Sequence, residues 1–159
     1  MERQNHRELH LLRQAGLRTT PQRLAVLSLV LNSTSHPGPE AVYRSLAPRH
    51  PGLSMNTVYQ ALHTLEESGI LRRVAGQEST YRYDANVRPH VHLVCRSCGR
   101  VDDCSDHAQL LGDLHRAVAA QTAWTLVDQD PCFYGYCPSC QESGSSSTRR
   151  SEHGDETNR

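Results

Sequence analysis

At 159 residues the chain holds either one domain with a substantial core or two small lobes, and 36% hydrophobic content with one Trp and one Phe favours the lobes. No apolar run approaches the roughly 20 residues of a membrane span, and Met1 leads into the polar Glu2-Arg3-Gln4-Asn5, so the expectation is a soluble, cytoplasmic protein. The formal net charge of zero conceals a division: residues 1 to 83 carry 10 Arg against 6 Glu, and residues 84 to 159 carry 7 Arg against 11 Asp plus Glu. A polyanionic partner therefore belongs to the first half, and metal binding and assembly to the second.

In chain order, Leu9, Leu12 and Leu17 flank a short polar helix that ends near Gly16. Thr20-Pro21 reads as an N-cap followed by Pro at the first helical position. The next helix is predicted from Pro21 to Leu31, burying Leu24, Leu27, Val30 and Leu31. Ser35-His36-Pro37-Gly38 breaks it, Pro39 opens a third helix carrying Val42, Tyr43 and Leu46, and Pro48 and Pro51 are expected to end that one. A fourth helix starts after Ser54, stops at Gly69 and places Val58, Leu62 and Leu65 on one stripe. Ile70 to Val74 and Thr80 to Tyr83 then alternate like a hairpin around a turn at Gly76.

Helices followed by a two-stranded ribbon spell a winged helix-turn-helix. In that geometry the helix after Ser54 enters a DNA major groove, with Asn56, Thr57, Tyr59 and Gln60 nearest the bases. Arg72, Arg73 and Arg82 on the ribbon, with Arg18 and Arg23, are the candidates for backbone contacts. A helical protein-interaction module with a solvated Arg face is the alternative.

Asp84 to Pro89 reads as a hinge. Beyond it, strands are expected at His92 to Val94, around Val101, at Trp124 to Val127 and at Phe133 to Tyr136. A helix from Asp106 to Gln121 should turn Leu110, Leu111, Leu114 and Val118 inward, and the tail from Gln141 should be disordered. Two pairs, Cys95-Arg-Ser-Cys98 and Cys137-Pro-Ser-Cys140, frame this half, and His90-Val-His92 precedes the first. Four thiolates from two tight turns make the closed tetrahedral shell of a structural zinc. Two disulfides or four reduced core thiols are the alternatives. The fold class is therefore α+β: a winged-helix DNA-binding domain over 1–83, a hinge over 84–89, a small α/β metal-binding domain over 90–140, and a tail over 141–159.

Gly16-Leu17-Arg18-Thr19-Thr20-Pro21-Gln22-Arg23, Thr57-Val58-Tyr59 and His90-x-His92-Leu93-Val94-Cys95-x-x-Cys98-Gly99, in this order, resemble the ferric uptake regulator (Fur) family over about residues 8 to 140. The resemblance implies a homodimeric, metal-dependent transcriptional repressor. It would bind double-stranded DNA at an A/T-rich inverted-repeat operator and carry one structural Zn(II) per subunit on Cys95, Cys98, Cys137 and Cys140.

Carried over position by position, the family's second site falls on His36, Asp84, His90, His92 and Asp103. Three imidazoles and two carboxylates suit Fe(II) or Mn(II), one per subunit, at five or six coordination. An Asp at position 103 is similar to the peroxide-responsive branch, whereas a Glu there resembles the iron-uptake repressors. The resemblance then implies that peroxide reacts at the Fe(II) site, that His36 or His90 is oxidised, and that DNA is released. Peroxide-defence genes such as catalase would be the targets.

Arg88 stands where a nickel sensor would have another His, and Gln60 where many members carry Arg. The alternatives are an iron- or zinc-uptake repressor without peroxide sensing, or a thiol switch through Cys104 and Cys132, with Cys104 also able to join the inter-lobe site. A non-haem iron enzyme is disfavoured, because the candidate ligands come from too many segments and no phosphate loop or nucleophile elbow appears.

Overall fold

The computed structural model describes residues 2–75, 81–104, 107–127 and 131–143. The expected turn at Gly76, Thr80, the helix start at Asp106 and nearly all of the tail lie outside those residues. The chain begins α1(Glu2–Gln14), α2(Pro21–Leu31), α3(Pro39–Leu46) and α4(Met55–Glu67). Thr20 caps α2 by accepting the Arg23 N–H at 3.2 Å. Ser54 caps α4 by accepting the Thr57 N–H at 3.1 Å, and Gly69, at φ 71°, supplies the left-handed residue that ends it. Pro48 does not stop α3 cleanly, because Ala47–Arg49 continues it as a 3-10 turn in which Pro48 needs no N–H partner.

Val58, Leu62 and Leu65 of α4 are fully buried, each contributing about 1.5–3 kcal/mol by leaving water. They meet Val26, Leu27 and Val30 of α2, Val42 of α3 and Leu12 of α1 in one cluster, closed by Leu71 and Tyr83. Leu24 and Leu31 are only half-buried. The inward stripe of α2 is centred on Val26, Leu27 and Val30, which leaves those two leucines about 100° around the helix.

The ribbon pairs β1(Arg72–Ala75) with β2(Tyr81–Asp84) antiparallel, in the register Arg72 to Asp84, Arg73 to Tyr83 and Val74 to Arg82. Alternation puts Arg72, Val74, Arg82 and Asp84 on one face and Arg73 and Tyr83 on the other. Tyr83 joins the helical core, while Val74 turns the other way and packs against Val94 and Val101, with Cys132 alongside. This small apolar contact joins the winged helix to the second half.

That half is built on β3(Val91–Cys95), with β4(Val101–Cys104) antiparallel on one side and β5(Cys132–Gly135) parallel on the other. Parallel pairing demands a crossover, supplied by α5(Ala108–Gln121), and α6(Pro138–Glu142) follows. Two expectations are corrected here. Leu111 is buried, but Leu110, Leu114 and Val118 are 65%, 54% and 39% exposed, so most of the α5 apolar stripe faces away from its own sheet. Trp124 to Val127 forms no strand. Both sheet edges, at β4 and β5, leave it unpaired, and Trp124 and Val127 are 77% and 92% exposed. A strand needs a partner, and among the described residues none pairs with this segment.

Candidate metal centres and nucleic-acid interface

Cys95 ends β3, Cys98 lies in the turn made by Gly99 at φ 69°, and Cys137 and Cys140 flank and enter α6. The turn is closed by the Gly99 N–H donating to the Cys95 carbonyl at 2.9 Å, and the second pair by the Cys140 N–H donating to the Cys137 carbonyl at 3.0 Å. The Arg96 N–H donates to the Gly135 carbonyl at 2.7 Å and ties the two turns together. All four sulfurs lie within 4.8 Å of one another, and Cys98 Sγ and Cys137 Sγ are 3.8 Å apart. Zinc–sulfur bonds of about 2.3 Å make a tetrahedron with edges of about 3.8 Å, so Cys98 and Cys137 already stand at that spacing and the four sulfurs are gathered closely enough to form the shell. Burial raises the Cys95 thiol pKa, but the N–H groups of Cys137, Cys98 and Ser97 outweigh it and bring it down to about 6. The Cys137 N–H donates to Cys95 Sγ at 3.3 Å, an arrangement that favours a thiolate.

The second cluster gathers His36 from the break before α3, Asp84 from the end of β2, His90 and His92 from β3 and its approach, and Asp103 from β4. Their donor atoms all lie within 4.8 Å of one another. Asp103 Oδ1 is 2.8 Å from His36 Nε2 and 3.2 Å from His90 Nε2, and Asp84 Oδ2 is 3.1 Å from His90 Nε2. Four of the five residues are buried, and Asp84 Oδ2 and His90 Nε2 are sealed from solvent without a hydrogen bond of acceptable geometry. Buried polar atoms of this kind are costly unless a cation completes them. His90 Nδ1 sits 2.7 Å from the Arg88 carbonyl, which aims Nε2 into the cluster.

Burial alone would lower the His36 pKa, but Asp84 and Asp103 outweigh it and raise it. Burial likewise opposes ionisation of Asp84, yet hydrogen bonds from His36, His92 and the Asn86 N–H hold it well below the usual carboxylate range. The electrostatics are those of carboxylates ready for positive charge. The donor set fits a divalent ion of mixed nitrogen and oxygen preference.

His36 adopts φ 48°, a conformation that among the described residues no other non-glycine shares. Such a backbone costs of order 1 kcal/mol and persists only when its surroundings enforce it. Here the Arg82 guanidinium donates to the His36 carbonyl at 3.2 Å, and the Tyr83 N–H donates to the Pro37 carbonyl at 3.2 Å. This histidine of the donor cluster is thus bolted to the ribbon whose last residue is Asp84.

The ferric uptake regulator family model matches residues 14–130. The chain belongs to the ferric uptake regulator family. Among its relatives, the peroxide-responsive repressor PerR of Staphylococcus aureus is 34% identical over 131 residues, covering 82% of this chain and 87% of that protein. The PerR of Staphylococcus epidermidis is 32% identical over 133 residues, 84% of this chain and 87% of that one. The crystal structure of the Campylobacter jejuni peroxide stress regulator superposes with a TM-score of 0.65 at 28% identity, covering 81% of this chain and 95% of that one.

The helix expected to enter a DNA groove is α4. Asn56, Tyr59 and Gln60 are exposed on it, whereas Thr57 is half-buried, its hydroxyl 2.8 Å from Ser54 Oγ in the cap. Arg18 is exposed, and its carbonyl accepts a hydrogen bond from the Arg23 guanidinium. Arg73 is exposed, paired with Glu66 at 2.8 Å and stacked 4.5 Å over the Tyr81 ring. Arg72 and Arg82 depart from the expectation of backbone contacts. Both are half-buried on the Val74 face of the ribbon, Arg72 Nη1 is sealed from solvent, and Arg82 is committed to His36.

Alternation along β4 aims Cys104 away from Asp103 and therefore away from the second cluster. Strand β3 runs between Cys104, opposite Val91, and Cys132, opposite His92. Two strand spacings put their Cα atoms about 10 Å apart, beyond the roughly 7 Å a disulfide spans. Neither recruitment of Cys104 as a ligand nor a bridge between these two thiols within one chain fits this sheet. Two residues that bear on the site went unsingled in the sequence. Val74 makes the apolar contact between the halves, and Glu40, at the start of α3, accepts a hydrogen bond from Tyr59. Val74 could be recognised only by alternation along the ribbon, and Glu40 by its place four residues after His36.

Proposed function

We propose that this chain is a metal-dependent transcriptional repressor that senses hydrogen peroxide through an Fe(II) site and governs peroxide-defence genes such as catalase. The observation that carries the reading is the second cluster, an all-nitrogen and oxygen donor set in which Asp103 supplies the shortest contact, 2.8 Å to His36. The kinship with proteins named PerR supports the same branch. In this reading Cys95, Cys98, Cys137 and Cys140 hold a structural zinc, and His36, Asp84, His90, His92 and Asp103 hold Fe(II) or Mn(II).

His36 and Asp84 come from the winged helix, assigned to 1–83, and from the start of the hinge at 84–89. His90, His92 and Asp103 come from the metal-binding domain assigned to 90–140. Ligation by all five fixes the angle between the two halves and so the orientation of α4. Arg18 and Arg73 would meet the backbone of an A/T-rich inverted repeat, with Arg23 half-buried behind Arg18 and bonded to its carbonyl, and Asn56, Tyr59 and Gln60 would meet its bases, with Thr57 at the helix start. Arg82 acts from within, tying the ribbon to the His36 carbonyl, and Arg72 lies half-buried beside it on the same ribbon face.

An inverted repeat calls for a two-fold dimer. The exposed Leu110, Leu114, Val118, Trp124 and Val127 supply an apolar surface that a second copy would cover. A repressor of this kind works in the cytoplasm.

Fe(II) held by these five residues would supply the redox chemistry that cleaves the peroxide O–O bond: a ligand imidazole would lose two electrons and gain one peroxide oxygen, the other would leave as water, and the iron would end as Fe(II). His36 and His90, whose Nε2 atoms lie nearest Asp103, would be the residues oxidised. Loss of either imidazole as a ligand frees the winged helix from the second half. The test is operator binding by the zinc-loaded protein reconstituted without oxygen with Fe(II) or Mn(II), before and after a small dose of peroxide, with mass spectrometry of the His36 and His90 peptides. Binding lost only in the iron form, with one oxygen on either histidine, is the expected result. Retained binding with intact histidines would assign the chain to metal-uptake control, and loss through oxidised Cys104 or Cys132 would make it a thiol switch.

A further inference from the structure

Tyr59 is 45% exposed on the outer face of α4, and its hydroxyl donates to Glu40 Oε1 at 2.8 Å across to α3. We infer that Glu40 is a positioning residue for operator recognition: it fixes the Tyr59 phenol and takes up its proton-donating capacity, so that this side chain selects a base and not a phosphate. The inference rests on the proposed DNA-binding role of α4.

An acidic group beside a surface that approaches a polyanion opposes binding by simple charge. Glu40 is nonetheless ionised there. The Tyr59 hydroxyl and its own backbone N–H lower its pKa, with a smaller contribution from Arg44, against a modest opposing effect of burial. A charge-assisted O–H···O bond is the strong kind, and among the described residues Glu40 is the one partner of the Tyr59 hydroxyl. A half-exposed ring has little packing to orient it, so this bond sets where the phenol points.

With its proton given to Glu40, the phenol oxygen can only accept. Toward DNA it therefore offers lone pairs and an apolar ring edge. Those suit the amino group of adenine or cytosine or the methyl group of thymine, and they disfavour phosphate oxygens and the O6 and N7 acceptors of guanine. The backbone beside the carboxylate is close to the ribbon. A Cβ on Gly38 would come within 3.2 Å of the Tyr81 carbonyl, so glycine here lets the ribbon approach the start of α3 without displacement. Pro37-Gly38-Pro39 connects it stiffly to His36, which gives the metal site a four-residue route to the recognition helix.

The test uses the full chain loaded with zinc and Mn(II), which keeps peroxide chemistry out of the measurement. Binding is read by fluorescence anisotropy on a duplex that the unmodified protein selects from a random pool and on a scrambled duplex of equal length. Glu40→Ala should weaken binding to the selected duplex about five- to tenfold, while the scrambled duplex is bound as well or better, because a negative charge has been removed. Glu40→Gln keeps an acceptor and should restore binding to the selected duplex to within about twofold. Tyr59→Phe should reproduce the loss, and adding Glu40→Ala to it should cost nothing more.

If Glu40→Ala bound both duplexes equally well or more tightly, as charge alone dictates, the inference would be overturned. Should Glu40→Ala fail to fold, Tyr59→Phe decides in its place, and selected-duplex binding equal to the unmodified protein would overturn the inference. Should the unmodified protein select no duplex in any metal form, the DNA-binding reading itself falls, and the inference with it. That result is distinct from intact binding with an indifferent Glu40.

Discussion

Val74→Ala tests how the two halves of the molecule are coupled. Val74 is fully buried against Val94 and Val101, which are themselves almost completely enclosed, and this is the apolar contact between the ribbon and the second sheet. Trimming valine to alanine removes two methyl-sized groups, about 1.6 kcal/mol at roughly 0.8 kcal/mol per group before any cavity term. The donor cluster draws His36 and Asp84 from one side of that contact and His90, His92 and Asp103 from the other. Packing lost at the joint must then be made good by metal binding. Since about 1.4 kcal/mol is a factor of ten, Mn(II) affinity should fall roughly ten- to fifteenfold, with the zinc content unchanged. Electron paramagnetic resonance of free Mn(II), titrated into zinc-loaded protein without oxygen, reads this directly. A variant whose Mn(II) affinity stayed within about twofold, while its melting temperature fell, would show that the joint persists without metal and would refute the coupling.

Asp103→Glu should retain Mn(II)-dependent operator binding, because the Asp103 side chain is about a third exposed and a longer carboxylate has room. Its peroxide response in the Fe(II) form should be blunted at least tenfold, and unchanged loss of DNA binding per dose of peroxide would count against the peroxide-sensing assignment. Cys95→Ser removes the thiol at the end of β3 that accepts the Cys137 N–H, so the protein should purify without zinc and lose the pairing around β5. Metal analysis with light scattering checks this, and a stable zinc-free dimer would end the structural-zinc assignment. Ser54→Ala deletes the cap of α4 and should cost about 1 kcal/mol, seen as a melting point lower by a few degrees. An unchanged melting point would mean that the first turn of α4 is held by packing alone.

The sequence by itself determined the local events. Thr20-Pro21 and Ser54 start helices where their hydroxyls can meet free N–H groups, Gly69 ends one where a left-handed residue is needed, and two Cys-x-x-Cys turns preset sulfur spacing. These depend on neighbours within four residues, so they are legible in one dimension. The five donors of the second cluster were picked out only through family resemblance, because they come from four separate segments. Only the folded chain brings their donor atoms within 4.8 Å.

Other outcomes were decided by the tertiary structure alone. The ribbon register turned Arg72 and Arg82 inward, β3 separated Cys104 from Cys132, and α3 set Glu40 beside Tyr59. Periodicity showed that α5 has an apolar stripe and that Trp124 to Val127 could be a strand, but not what covers them. Within one copy of the chain most of that surface faces water. Hydrophobic pattern records that a face must be buried. Which surface buries it is a matter of packing between distant segments or between chains, and that is settled only in three dimensions.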